Sequence, residues 1–121
     1  MIDSVPKILV VDDDDLEPLF FKHEFPEYDI SSTNNIDKAI IQLRNFSFDF
    51  ILLDQLLGPV KGIDELHRLR EFSGDTRIIV YTNQMYEGMT EEAQSKGAFT
   101  VVKKGALGGS LLPDLLELVT A

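Results

Sequence analysis

Four short, mainly apolar runs recur along this chain, Ile8–Val11, Phe50–Leu53, Ile78–Tyr81 and Phe99–Val102, and stretches of helical periodicity separate them. This alternation is the feature that most restricts the fold. Unbroken apolar runs of about four residues suit strands covered on both faces, as in parallel sheets. Tyr28–Ser31 alternates apolar and polar residues instead, which predicts a strand nearer a sheet edge. Five helical patterns lie between and after these runs. Leu16, Leu19, Phe20 and His23 share one face of a first helix, with Pro18 tolerable in its first turn. Ile36, Ala39, Ile40 and Leu43 mark a second, and Ile63, Leu66 and Leu69 a third. Met85 to Lys96 predicts a fourth, stopped by Gly97. Leu112, Leu115, Leu116 and Val119 mark a fifth, with Ser110 as its N-cap.

Alternating strands and helices imply an α/β fold with a parallel sheet and right-handed crossovers. Five strands fit the doubly wound order 2-1-3-4-5, in which ligands bind at the carboxyl ends of strands beside the switch point. No internal repeat or linker-like stretch interrupts the pattern. The 121 residues suit one core, so a single domain over 1–121 is expected.

The strand ends carry the chemistry. Strand 1 runs into Asp12-Asp13-Asp14-Asp15, strand 3 into Asp54, strand 4 into Thr82-Asn83, and strand 5 into Lys103-Lys104. Carboxylates gathered at one sheet edge repel one another, which raises their pKa values and costs stability. A hard dication resolves this, and Mg²⁺ accepts oxygen ligands from one or two carboxylates together with substrate phosphate. A carboxylate beside such an ion is a competent nucleophile toward phosphorus, with a Lys and a Thr hydroxyl to balance the phosphoryl oxygens. The strand ends therefore describe an acidic Mg²⁺ site that handles phosphoryl groups. Asp14 and Asp15 have a simpler reading, as acids that favour a helix N-terminus.

Charge and composition exclude other classes. With 21 acidic and 11 basic residues the formal net charge is −10, which disfavours sequence-independent nucleic-acid binding and anionic membrane surfaces. Cysteine is absent, so disulfides and thiolate sites are excluded. No basic segment precedes the first apolar run, and that run is too short for a signal peptide or a membrane span, so a cytoplasmic location is expected.

Lys7–Asp13 resembles the opening strand of the response-regulator receiver family, and Phe48–Asp54 its third strand, which ends in the phosphoacceptor. Gly62, eight residues after Asp54, matches the family glycine, and Ile78–Thr82 resembles the fourth strand with its switch Thr. Gly97-Ala98 followed by Lys104 matches the spacing to the family Lys. The resemblance spans nearly the whole chain and implies a flavodoxin-like (βα)₅ sandwich. By position, it makes Asp54 the phosphoacceptor, Asp13 the direct Mg²⁺ ligand, Asp12 the acid acting through water, and the Leu56 carbonyl a backbone ligand. Thr82 and Lys104 would engage the phosphoryl group. Lys103 is the rival to Lys104, which is preferred because it lies seven residues beyond Gly97 and 22 beyond Thr82.

The chain departs from the family pattern in several places. Leu57-Gly58-Pro59 replaces the usual Met-Pro, Asn83 stands where a small residue is common, and Gly105 stands where a Pro is common. The aromatic switch position is Val101, which puts the usual Thr–aromatic coupling in question, with Tyr81 nearby in sequence. The implied function is a phosphoacceptor module in two-component or phosphorelay signalling, not an enzyme acting on an outside substrate. Its partners would be a histidine kinase or phosphotransfer protein and a downstream protein, with a homodimer possible through the fourth- and fifth-helix side, where Leu111 and Leu118 fall off the buried stripe. Two alternatives are a pseudo-receiver that binds proteins without phosphorylation and a small haloacid-dehalogenase-like phosphohydrolase. The latter wants Asp-x-Asp-x-Thr/Val after strand 1, which Asp12–Leu16 meets only partly.

Overall fold

The structure is a computed structural model and describes residues 5–107 together with 113, 114 and 117. Its main sheet contains β1 (Lys7–Val11), β2 (Asp29–Thr33), β3 (Phe50–Asp54), β4 (Arg77–Thr82) and β5 (Thr100–Lys103). All pairings are parallel and the order is β2-β1-β3-β4-β5, as the alternation predicts. The helices are α1 (Leu16–Glu24), α2 (Ile36–Asn45), α3 (Leu66–Ser73) and α4 (Met89–Ser95). Of the expected fifth helix, Pro113, Asp114 and Glu117 are helical, whereas Ser110, Leu111, Leu112, Leu115, Leu116, Leu118 and Val119 lie outside the described residues. Among the described residues no helix is long and apolar enough to cross a membrane.

The apolar runs are explained by two cores, one on each side of the sheet. Successive strand residues point to opposite faces. Leu9, Val11, Ile51, Leu53, Ile78 and Val80 join Ala39 of α2, Leu66 and Leu69 of α3, and Met89 and Ala93 of α4. Ile8, Val10, Phe50, Leu52, Ile79 and Tyr81 pack on the other side with Phe21 and Phe25. Beyond the exposed first residues Lys7 and Arg77, no position in β1, β3 or β4 faces water, so alternation is erased. Edge strand β2 keeps it, with Ile30 buried between the exposed Asp29 and the half-buried Ser31.

Two helices correct the sequence reading. On α1 the buried residues are Pro18 and Phe21, whereas Leu16, Leu19 and Phe20 are 71%, 58% and 45% exposed. The helix carries apolar residues on several sides. The stripe through Pro18, Phe21 and Phe25 wins because Phe21 meets Tyr81 edge-on, with centroids 5.9 Å apart. The fourth helix begins at Met89, four residues later than expected. Gly88, at φ 84°, precedes it in a left-handed conformation that ends any helix from the N-terminal side. Upstream, Gln84 donates its N–H to Thr82 Oγ1 in a local turn.

Between β3 and α3 the chain makes a small antiparallel hairpin of Leu56–Leu57 with Val60–Lys61 and then a 3₁₀ turn, Gly62–Glu65. Gly62 donates its N–H to the Gln55 carbonyl at 2.7 Å, and the Gln55 side chain accepts the Ile63 N–H at 2.9 Å. This folds the loop tightly over the end of β3. A Cβ on Gly62 would sit 2.5 Å from the Asp54 carbonyl oxygen and 3.1 Å from Leu53 Cγ. Backbone cannot yield as a side chain can, so Gly62→Ala is expected to destabilise the fold by about 2 to 3 kcal/mol, the upper part of the overpacking range. Urea unfolding checks this, and a loss below about 0.5 kcal/mol would show that the loop relaxes freely.

Candidate functional site

Because every strand of the main sheet runs the same way, β1, β3, β4 and β5 all deliver their last residues to one edge. Asp12 follows β1 directly. Its N–H bonds to the Thr33 carbonyl at 3.0 Å, and its Oδ1 accepts the Asp14 N–H at 2.9 Å. Asp14 Oδ1 in turn accepts the Leu16 N–H at 2.9 Å. These side-chain turns convert the strand end into the start of α1. Asp14 thus acts at the helix start, as its simpler reading expects.

Asp13 is exposed, and its Oδ2 accepts the Gly58 N–H at 2.8 Å, tying β1 to the loop after β3. Asp54 closes β3 and is buried, with Oδ1 accepting the Leu56 N–H at 3.2 Å. Asp12, Asp13 and Asp54 each place one carboxylate oxygen within 4.8 Å of the other two. Lys104 Nζ lies 3.2 Å from Asp54 Oδ1 and 3.8 Å from Asp12 Oδ2. Lys103 pairs with Thr82 in the sheet register and is exposed, whereas Lys104 is half-buried. Thr82 is buried at the end of β4, where its hydroxyl accepts the Gln84 N–H at 3.1 Å. Val101 lies in the apolar cluster that includes Met89 and Ala93. Position 101 is therefore aliphatic and packed.

Burial and the neighbouring Asp12 show in the titration of Asp54. Burial, followed by the hydrogen bond and charge of Asp12, pushes the Asp54 carboxyl up from 3.8 to about 7, against the pull of the Leu56 N–H and Lys104. Burial pulls the Lys104 ammonium down, but the Asp54 and Asp12 charges outweigh it and leave it above its ordinary value. One cation does not balance three converging acids.

Sequence reasoning missed the role of one residue. Tyr81 is fully buried on the opposite face of β4 from Thr82, and its hydroxyl donates a hydrogen bond to Asp12 Oδ2. Lys104 Nζ sits 5.2 Å from the centroid of its ring. Burial and then the Asp12 hydrogen bond hold the phenol far above its ordinary pKa, so it stays a donor. The available signal was a Tyr ending a run of aliphatic strand residues. Its target, 69 residues away, is set only by the strand order.

The donor set suits a hard divalent cation: three carboxylates able to offer one oxygen each, with no nitrogen or sulfur among them. Burial first, and Asp12 after it, raise the Asp54 pKa, so a cation held at this edge would favour the ionised carboxylate.

Comparison with known proteins bears on this arrangement. A family model described as the response regulator receiver domain matches residues 8–113. None of the curated protein sequences matches the chain. Among solved structures, a CheY-like response regulator receiver domain protein from Methanospirillum hungatei JF-1 superposes with TM-score 0.84 at 22% identity, covering 97% of this chain and 95% of that one. A response regulator from Thermotoga maritima gives 0.83 at 21% identity, covering 98% and 100%. A response regulator protein from Burkholderia pseudomallei, solved with a phosphorylated aspartic acid, calcium ion and citrate, gives 0.77 at 22% identity, covering 96% and 73%. At these identities the superpositions show the shared fold.

Proposed function

Since the chain belongs to the response regulator receiver domain family, a family of phosphoacceptor signalling modules, we propose that Asp54 is its phosphoacceptor and that Mg²⁺ is its cation. The observation that carries this reading is the Lys104 ammonium 3.2 Å from a buried Asp54 carboxylate that shares its sheet edge with Asp12 and Asp13. Asp12, Asp13, Asp54 and the Leu56 carbonyl would hold the ion, with Asp12 acting through water. When bound, the ion neutralises phosphoryl oxygens and keeps Asp54 ionised.

An Asp54 carboxylate oxygen attacks phosphorus, the bond from phosphorus to the donor's leaving group breaks, and an acyl phosphate remains. Lys104 shifts from the carboxylate to the new phosphoryl oxygens. Thr82 turns its hydroxyl from the Gln84 turn toward them. That turn precedes Gly88 and α4, so its release gives the module a segment whose conformation can differ between two states. With Val101 packed in the core, such switching runs through Thr82 and the loop, without an aromatic at that position.

A histidine kinase or phosphotransfer protein donates the phosphoryl group, and a downstream protein reads the result. We take residues 1–121 as one receiver domain acting in the cytoplasm, with no turnover of an outside substrate. A homodimer through the fourth- and fifth-helix side rests largely on residues outside the described set. The dehalogenase-like reading loses support because Asp14, its second acid, bonds to the Leu16 N–H. The pseudo-receiver reading loses support because the Asp, Thr and Lys set is complete at one edge.

Incubation with acetyl phosphate and Mg²⁺ is expected to add one phosphoryl group by intact mass. The gain disappears in Asp54→Ala and when Mg²⁺ is chelated. A gain that persists in Asp54→Ala, or none in the wild type with several small donors, overturns the assignment.

A further inference from the structure

Asp12 is the most constrained carboxylate of the cluster. Its side chain has no solvent exposure. Oδ1 is tied to the Asp14 N–H at 2.9 Å, and Oδ2 receives the Tyr81 hydroxyl with Lys104 Nζ 3.8 Å away. A carboxylate has about four lone-pair positions, and each donor it accepts draws charge from the oxygen that a cation would use. Tyr81 has little freedom to withdraw. Its ring is fully buried, meets Phe21 edge-on, and its carbonyl accepts the Gln55 N–H at 3.1 Å.

We propose that Tyr81 is a positioning residue whose hydroxyl competes with a bound dication for Asp12 Oδ2, holding Asp12 behind the ion and lowering the affinity of the site. The inference rests on reading the acidic cluster as a cation site. The competition is local. Lys104 is held over the ring face and not by the hydroxyl, so a phenyl ring at this position keeps the same cation–π partner. A phenyl ring also keeps the edge contact with Phe21. Removing only the oxygen therefore leaves Asp12 oriented by the Asp14 N–H, with Oδ2 returned to the cation.

Calorimetric titration with Mg²⁺ alone, at a mildly alkaline pH, compares wild type, Tyr81→Phe and the control Tyr86→Phe. Tyr86 is half-exposed and bonds to Glu92, away from the cluster. Tyr81→Phe is expected to bind Mg²⁺ about three- to tenfold more tightly, the range set by the net strength of one ordinary hydrogen bond. Tyr86→Phe is expected to match the wild type. Tighter binding is a readout that damage to a merely structural tyrosine does not produce. Addition of Mg²⁺ to the wild type is also expected to perturb tyrosine absorption, with the signal absent only in Tyr81→Phe. Equal or weaker binding by Tyr81→Phe overturns the role of Tyr81 and leaves the cation site standing. No binding by the wild type overturns the cation site and this inference together.

Discussion

Lys104→Ala is expected to slow phosphoryl transfer from acetyl phosphate to Asp54 by about 10²- to 10³-fold, while Lys103→Ala leaves the rate within about twofold. The two lysines are adjacent, but the backbone separates their fates. Lys103 is the last residue of β5 and is exposed, whereas Lys104 opens a 3₁₀ turn that carries Nζ to 3.2 Å from Asp54 Oδ1. A preorganised cation aimed where charge must be accommodated costs no reorganisation during the reaction, and its loss resembles removal of an oxyanion donor. The side chain is only 15% exposed, so solvent screening is limited. Rates are read by intact mass against time. Equal effects of the two substitutions would mean that net surface charge, and not placement, governs the reaction.

Asp54→Asn is expected to stabilise the protein at neutral pH when Mg²⁺ is chelated. The folded Asp54 carboxyl titrates at about 7, above its ordinary 3.8, with burial as the leading cause and Asp12 next. Between these values the folded state binds more protons than the unfolded state, so stability falls as pH rises through this window. Below about pH 4 both states are protonated and the penalty vanishes; above about pH 7 it is complete, on the order of 4 kcal/mol at about 1.4 kcal/mol per unit. Asparagine has a similar shape and no charge to bury, so most of this penalty is recovered. Urea unfolding in chelator is expected to give two curves that meet near the acid end and diverge toward neutral pH. A variant less stable than wild type at neutral pH would show that the Asp54–Lys104 pair outweighs the crowding of Asp54 and Asp12. Adding Mg²⁺ should narrow the gap, because the wild type then gains the missing counter-charge.

The fold was legible where hydrophobicity alone carries the information. Ile8–Val11 and Phe50–Leu53 read as doubly covered strands because both faces are in fact covered, and a parallel sheet then brings Asp12, Asp13, Asp54, Thr82 and the Lys103–Lys104 pair to one edge. Helix faces were less legible. Apolar residues on several sides of α1 leave more than one stripe available, and only contact with Tyr81 selects the side bearing Phe21. The start of α4 was misplaced because a left-handed Gly88 and the Thr82 turn override a weak periodic signal.

By itself, then, the sequence determined the strand order, the family, and which acids, hydroxyl and lysines stand at strand ends. Residue spacing and one-dimensional apolar patterning suffice for these. Tertiary structure alone decided that Lys104 bonds to Asp54, that Gly62 must clear the Asp54 carbonyl, and that the Tyr81 hydroxyl occupies an Asp12 oxygen. Each of these depends on distances of a few ångströms between residues brought together by the packing of the sheet and its loops, and a difference of one bond length there changes which oxygen is free. Such distances follow from the packed backbone and have no counterpart in the order of residues along the chain.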